Sequence, residues 1–186
     1  MAKKLNIGLI GGTGRCGTSI LRRILATHSE VAALPIEHKI TVDPEGIIDF
    51  YNSYSSNWSP YLADQKLKRL ESFLYTLSST SNVDKLIHYL LKLFSIFGIQ
   101  ITSKAYLNLE LSKSIPSYLE HVDMLINELT EFTYSANRLG IDSYTLNPKI
   151  RYASFATKIE LQPVFKKFIS NLIKDFLQSQ KKDFFI

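Results

Sequence analysis

A single cysteine, Cys16, excludes an internal disulfide and with it the disulfide-stapled secreted class. It fits a reducing compartment. Long apolar runs are missing too. The most apolar late stretch, Leu90 to Ile101, is broken by Lys92, Ser95 and Gly98 and is well short of a bilayer span. At the start, Met1-Ala-Lys-Lys leads into an apolar run that glycines interrupt too soon for a signal peptide. The expectation is a soluble, cytoplasmic protein without a membrane span. There is no dense arginine-rich run, since the basic residues are spread along the chain, and this argues against a nucleic-acid partner. The four histidines, His28, His38, His88 and His121, show no metal-ligand spacing, so no metal is expected. Repeats and low-complexity tracts are likewise lacking. With 45% hydrophobic and 21% charged residues, the 186-residue chain has globular composition and is long enough for one substantial core. Its formal net charge of +5 suits an anionic ligand.

What the chain does have is glycine in one place. The apolar run Leu5 to Ile10 is followed at once by Gly11-Gly12-Thr13-Gly14-Arg15-Cys16-Gly17, then by Thr18-Ser19 and an apolar-basic pattern of helical period. In a strand, glycine loop and helix in succession, loop amides and a helix N-terminus converge on an anion. Glycines allow close backbone approach and positive φ. The hydroxyls of Thr18 and Ser19 fall in the first helical turn, beside its exposed N–H donors. The segment therefore reads as a phosphate-binding loop.

Three readings compete for these residues. Gly12-x-Gly14-x-x-Gly17 fits the dinucleotide fingerprint, with Glu37, 20 residues on, as the ribose-binding acid. Gly12-x4-Gly17-Thr18-Ser19 nearly fits the nucleoside-triphosphatase loop, but Thr18 stands where that loop needs the lysine that reaches the β- and γ-phosphates. The third reading is Arg15-Cys16-Gly17-Thr18-Ser19. It resembles the 5′-phosphosulfate loop of the sulfotransferases that use 3′-phosphoadenosine 5′-phosphosulfate (PAPS), with Cys16 where serine is usual. The resemblance extends through Ser19 to Val31, which is similar to that family's first helix and its His-Pro-acid-Val ending, with Ser29 for the proline. It reaches Leu34-Pro-Ile-Glu37-His38-Lys39, similar to the acidic segment that supplies a base in several branches. It covers about the first quarter of the chain.

The resemblance implies sulfuryl transfer from PAPS to a hydroxyl or amine of a small-molecule, glycan or lipid acceptor, without a metal. Arg15 would meet the 5′-phosphate and the bridging oxygen with its planar fork. Gly12, Thr13, Gly14, Cys16, Gly17, Thr18 and Ser19 would line the donor site. Glu37 would be the general base and His38 its understudy. Two alternatives stay open: an NAD(P)-binding oxidoreductase using Gly12, Gly14, Gly17 and Glu37, and a non-catalytic P-loop-like protein. Oligomeric state is left open.

Periodicity and capping residues outline the rest. The expected fold class is α/β, a P-loop-like parallel sheet with a large helical insertion. The expected layout is one domain: a strand-loop-helix over 1–42, a mainly helical acceptor side over 43–160, and a helix with the start of a further core strand over 161–186. Leu5 to Ile10 reads as a buried parallel strand covered on both faces and Val31 to Leu34 as a short second one. A helix is expected from Asp43-Pro44-Glu45 to about Tyr51. A loop over 52–60 follows, whose aromatics Tyr54 and Trp58, with Tyr61, serve equally well as an acceptor lip or as packing. Helices are expected over 61–79, from Asn82 to Gly98, from Ser114-Ile-Pro116 to Leu139, and from Glu160 or Gln162-Pro163 to about Leu177. Residues 141–157 read as loop, and Lys181 to Ile186 as a strand with a free edge that would invite aggregation. No strand followed by an Arg and a Ser, the family's 3′-phosphate site, follows the first helix. The expectation is that the domain continues past Ile186, or that Arg22, Arg23 or Arg151 takes that role.

Overall fold

The computed structural model describes residues 5–34, 38–79, 86, 89–90, 109–135, 149–153 and 158–186. They form a mixed α/β protein, mostly helical, with a three-stranded parallel sheet and a two-stranded antiparallel one. The chain divides into two compact units. One comprises residues 1–36, 75–119 and 175–186, the other 37–74 and 120–174.

The first unit holds the parallel sheet. Strand β1 is Asn6–Ile7, helix α1 Thr18–Leu25, strand β2 Val31–Ala32, and strand β5 Phe184–Phe185. β5 lies between the other two, with Asn6 and Val31 both opposite Phe184, and Ile7 and Ala32 both opposite Phe185. This corrects two expectations. β1 is not a strand covered on both faces: it is two residues long, at the sheet edge, and both residues are exposed. The last strand has no free edge, because Gly8 N–H donates to Phe185 O at 2.8 Å and Ile186 N–H to Ala32 O at 2.9 Å on its two sides. Phe185 is buried, and Phe176 meets its ring edge-on at 5.9 Å.

The second unit is built around helix α4, Pro60–Ser78, whose N-terminal part carries Ala63, Leu67, Leu70 and Leu74 into the core. Ser59 starts it: its Oγ accepts the Leu62 N–H at 3.2 Å, and Pro60 takes the first helical position. Helix α2, Lys39–Val42, precedes a tight turn into helix α3, Ile47–Ser56. The turn requires Gly46, since a Cβ there would lie 2.8 Å from the carbonyl oxygens of both Ile40 and Asp43. Asp43 and Pro44 therefore belong to the turn and do not open α3. The helix also runs past Tyr51, so Tyr54 lies in it and not in a loop. Ile47, Phe50 and Tyr54 recur at helical spacing and are buried, with Phe50 stacked on Tyr54 at 4.9 Å and edge-on to Phe165 at 5.8 Å.

Helix α5, Leu111–Ser114, belongs to the first unit, and helix α6 is Tyr118–Glu128. α6 ends eleven residues before Leu139, the expected stop, where Thr130 Oγ1 donates to Ile126 O at 2.7 Å. Phe132–Ser135 then forms strand β3, antiparallel to strand β4, Lys149–Tyr152. β4 falls where loop was expected. Helix α7, Lys158–Gln180, starts before Glu160, carries Pro163 inside it and runs three residues past Leu177, with Lys181 in the left-handed region (φ 53°) and Lys182 N–H closing back on Leu177 O at 3.0 Å. Leu86, Tyr89 and Leu90 are helical, and the rest of the expected 82–98 helix lies outside the described residues. Among the described residues no helix is long and apolar enough to cross a membrane.

Candidate functional site

The glycine loop leaves β1 at the carboxyl end of the parallel sheet. In open parallel sheets this is the end where ligands bind. Ala33 and Leu34 leave β2 at the same end, and Arg22 of α1 donates to Leu34 O at 2.8 Å, tying the helix to that segment. Gly8 lies under Phe184: a Cβ there would come 3.1 Å from the ring and 3.2 Å from Ile186 Cγ2.

The loop itself is a turn followed by a left-handed helix cap. Cys16 N–H donates to Thr13 O at 3.2 Å, which places Arg15 at the third position of a turn with φ 63°. Arg15 is not a glycine, so this conformation costs of order 1–3 kcal/mol. Gly17 caps α1 at φ 87°, a conformation open to glycine without strain, and its carbonyl accepts from Ile20 and Leu21 N–H, each at 3.0 Å. The N–H groups of Gly14, Arg15, Gly17, Thr18 and Ser19 meet no acceptor among the described residues. Gly14 has open space around it. Gly12 does not: Cys16 folds back over it, with Sγ 2.2 Å from where a Gly12 Cβ would stand. Residues 11–17 are all exposed, and Thr18 is half-buried. The arrangement is an exposed set of backbone donors at a helix N-terminus with an exposed arginine, Arg15, in the same loop, the chemistry that holds an oxyanion.

The structure places Gly12, Thr13, Gly14, Arg15, Cys16 and Gly17 in this loop and Thr18 and Ser19 in the first turn of α1 that follows it. Glu37 lies outside the described residues. His38 belongs to the second unit, where burial lowers its pKa below the usual imidazole value and its buried Nδ1 meets no partner among the described residues. Of the three spare arginines, Arg22 is engaged with Leu34 O. Arg151 is held by both carboxylate oxygens of Glu71, each at 2.7 Å, inside the second unit. Arg23 is exposed on α1.

The expected aromatic lip divides. Tyr54 is a core residue whose hydroxyl is pushed above its ordinary pKa by burial, and it is hydrogen-bonded with Trp58. Trp58 Nε1 donates to Ala153 O at 3.3 Å, fastening the chain after α3 to the residue after β4. These two pack the second unit and do not open a lip. The Tyr61 side chain is outside the described set. Sequence reasoning missed Asp64. This fully buried carboxylate accepts the Arg151 N–H at 2.9 Å and pairs with Lys68 at 3.0 Å. Its position among apolar helical residues is a signal for a structural acid, because a buried acid must find donors.

No protein-family model matches the sequence, and neither the curated proteins nor the solved structures give a match.

Proposed function

We propose that residues 12–19 hold the 5′-phosphosulfate of PAPS and that the chain is a sulfotransferase acting on an acceptor hydroxyl or amine. The observation that carries the reading is the loop geometry. A left-handed Gly17 cap and N–H groups with no acceptor among the described residues sit beside an arginine kept in a strained backbone conformation. Strain of this kind concentrates at ligand-clamping positions. Arg15-Cys16-Gly17-Thr18-Ser19 resembles the phosphosulfate loop of the PAPS-dependent sulfotransferases, which is what points the anion to a phosphosulfate, and Thr18 in place of a lysine turns it away from triphosphate chemistry.

In the reaction, the acceptor oxygen or nitrogen attacks sulfur while the bond from sulfur to the bridging oxygen breaks. The bisphosphate leaves with the electron pair. Arg15 offsets the charge that grows on it, and the backbone donors need no reorganisation to do the same. Glu37 takes the acceptor proton. Catalysis rests on positioning and charge neutralisation, and no metal is invoked. The strand order weighs against the dinucleotide alternative, because a dinucleotide fold sets its first two strands side by side, whereas β5 separates β1 from β2 here.

The test is a thermal-shift titration with PAPS, adenosine 3′,5′-bisphosphate, NADP and ATP in parallel. Selective stabilisation by the first two supports the reading. A shift with NADP alone moves the protein to the oxidoreductases, and a shift with none removes the donor site.

A further inference from the structure

Helix α1 is turned with its apolar side outward. Thr18, Arg22 and Ala26 recur every four residues and are the half-buried row. At about 100° per residue, Leu25, Leu21, Ile24 and Ile20 follow in that order around the helix, away from this row. Their fractional exposures rise in the same order, 38%, 47%, 60% and 64%. Ile20 and Ile24 therefore form the outermost ridge, and the exposed Arg23 comes next around the helix, beside Ile20. No residue of the helix is buried.

The charge of the protein is concentrated in the same part of the chain. The cations are spread, but the acids are not: the first is Glu30. Lys3, Lys4, Arg15, Arg22 and Arg23 precede it without an opposing acid, and they equal the whole net charge of +5. The remaining sequence is neutral.

An exposed aliphatic ridge with an exposed arginine beside it, on an amphipathic helix in the part of the sequence that carries the net positive charge, is the pattern of a helix lying in a membrane interface. We infer that α1 docks on an anionic lipid surface, with Ile20 and Ile24 entering the headgroup boundary and the neighbouring Arg23 meeting lipid phosphates or carboxylates. A second copy of the chain is the poorer occupant. A two-fold contact through this helix would bring the same cations together from both sides, whereas an anionic surface neutralises them. The inference is independent of the donor reading, since it uses the outer face of α1 and not the loop amides.

Vesicle co-sedimentation of the full chain tests it. Binding is expected to phosphatidylcholine vesicles containing phosphatidylserine, to weaken as salt rises, and to be slight on phosphatidylcholine alone. Ile24→Asp should weaken it roughly tenfold or more through loss of the apolar contact. Arg23→Glu, which leaves the ridge intact, should weaken it about tenfold through charge alone. Circular dichroism of both variants should match the wild type. Salt-independent binding, equal binding by Ile24→Asp, or no binding to anionic vesicles would each overturn the inference. Sedimentation equilibrium adds a further contrary outcome, a wild-type dimer that Ile24→Asp splits and that ignores vesicles.

Discussion

The sulfur of Cys16 stands 2.2 Å from the point a Cβ on Gly12 would occupy, so the two positions are matched across the loop. The Cys16 Cβ is 3.6 Å from that point, an ordinary contact. Gly12→Ala should therefore force the thiol out of its place and weaken donor binding by about tenfold, whereas in a Cys16→Ala background the same change should cost clearly less, because only Thr18 Cγ2, 3.1 Å from that point, then has to give way. A double-mutant cycle read by calorimetry should give a coupling of roughly 0.5–3 kcal/mol, the range for residues in contact. Additive effects would mean that the two side chains do not share the space.

Arg15 holds φ 63° without being glycine. Arg15→Gly removes the strain of that conformation and should raise stability by about 1 kcal/mol, partly offset by the greater freedom of glycine in the unfolded chain. It should at the same time abolish selective donor binding. Denaturant unfolding beside ligand titration checks both halves. A variant that is less stable, or one that keeps its affinity, contradicts the assignment of the strain to ligand holding.

Asp64 is the acid around which the second unit closes, accepting from the Arg151 backbone and pairing with Lys68. Asp64→Ala leaves a buried N–H without a partner and should cost about 3 kcal/mol in urea denaturation. A loss within experimental error would show that the hairpin is held by Trp58 and the Arg151–Glu71 pair alone.

Burial lowers the His38 pKa from its ordinary 6.5. A folded-state value below the unfolded one means the unfolded chain binds the proton first. The contribution of neutral His38 is therefore fully present above about pH 6.5 and is lost as the pH falls from there through the lowered folded value. Unfolding curves between pH 7.5 and pH 5 should show this decline, and His38→Phe should flatten it. A decline of equal size in the variant would place the titrating group elsewhere.

Much of the helical framework was legible because it obeys one period. Leu67, Leu70 and Leu74 mark α4, Phe165, Phe168, Leu172 and Phe176 mark α7, and all are buried. The same period ran through Tyr54, where a polar and aromatic composition suggested a loop, and there the period was the better guide. It misled at Phe132, which continues the stripe of Val122, Leu125 and Leu129 but sits in a strand. Pairing with Tyr152, twenty residues further on, decides its state, and local spacing carries no record of such a partner. β5 is a similar case. Its apolar run reads as a strand, but its central place depends on Asn6 and Val31, far back in the chain. The glycine loop was legible because its glycines act locally. The outward turn of α1 was not, since amphipathicity shows that a helix has two faces and not which one meets the protein.

Calorimetric titration of PAPS into the wild type and Arg15→Ala tests the central claim most directly. The account predicts saturable binding by the wild type and a loss of roughly 1.5–3 kcal/mol in the variant, the range for hydrogen bonds to a charged group. That loss is about a tenfold to hundredfold fall in affinity, with the fold unchanged by circular dichroism. Equal affinity in the two proteins, or heat without saturation in the wild type, would contradict it.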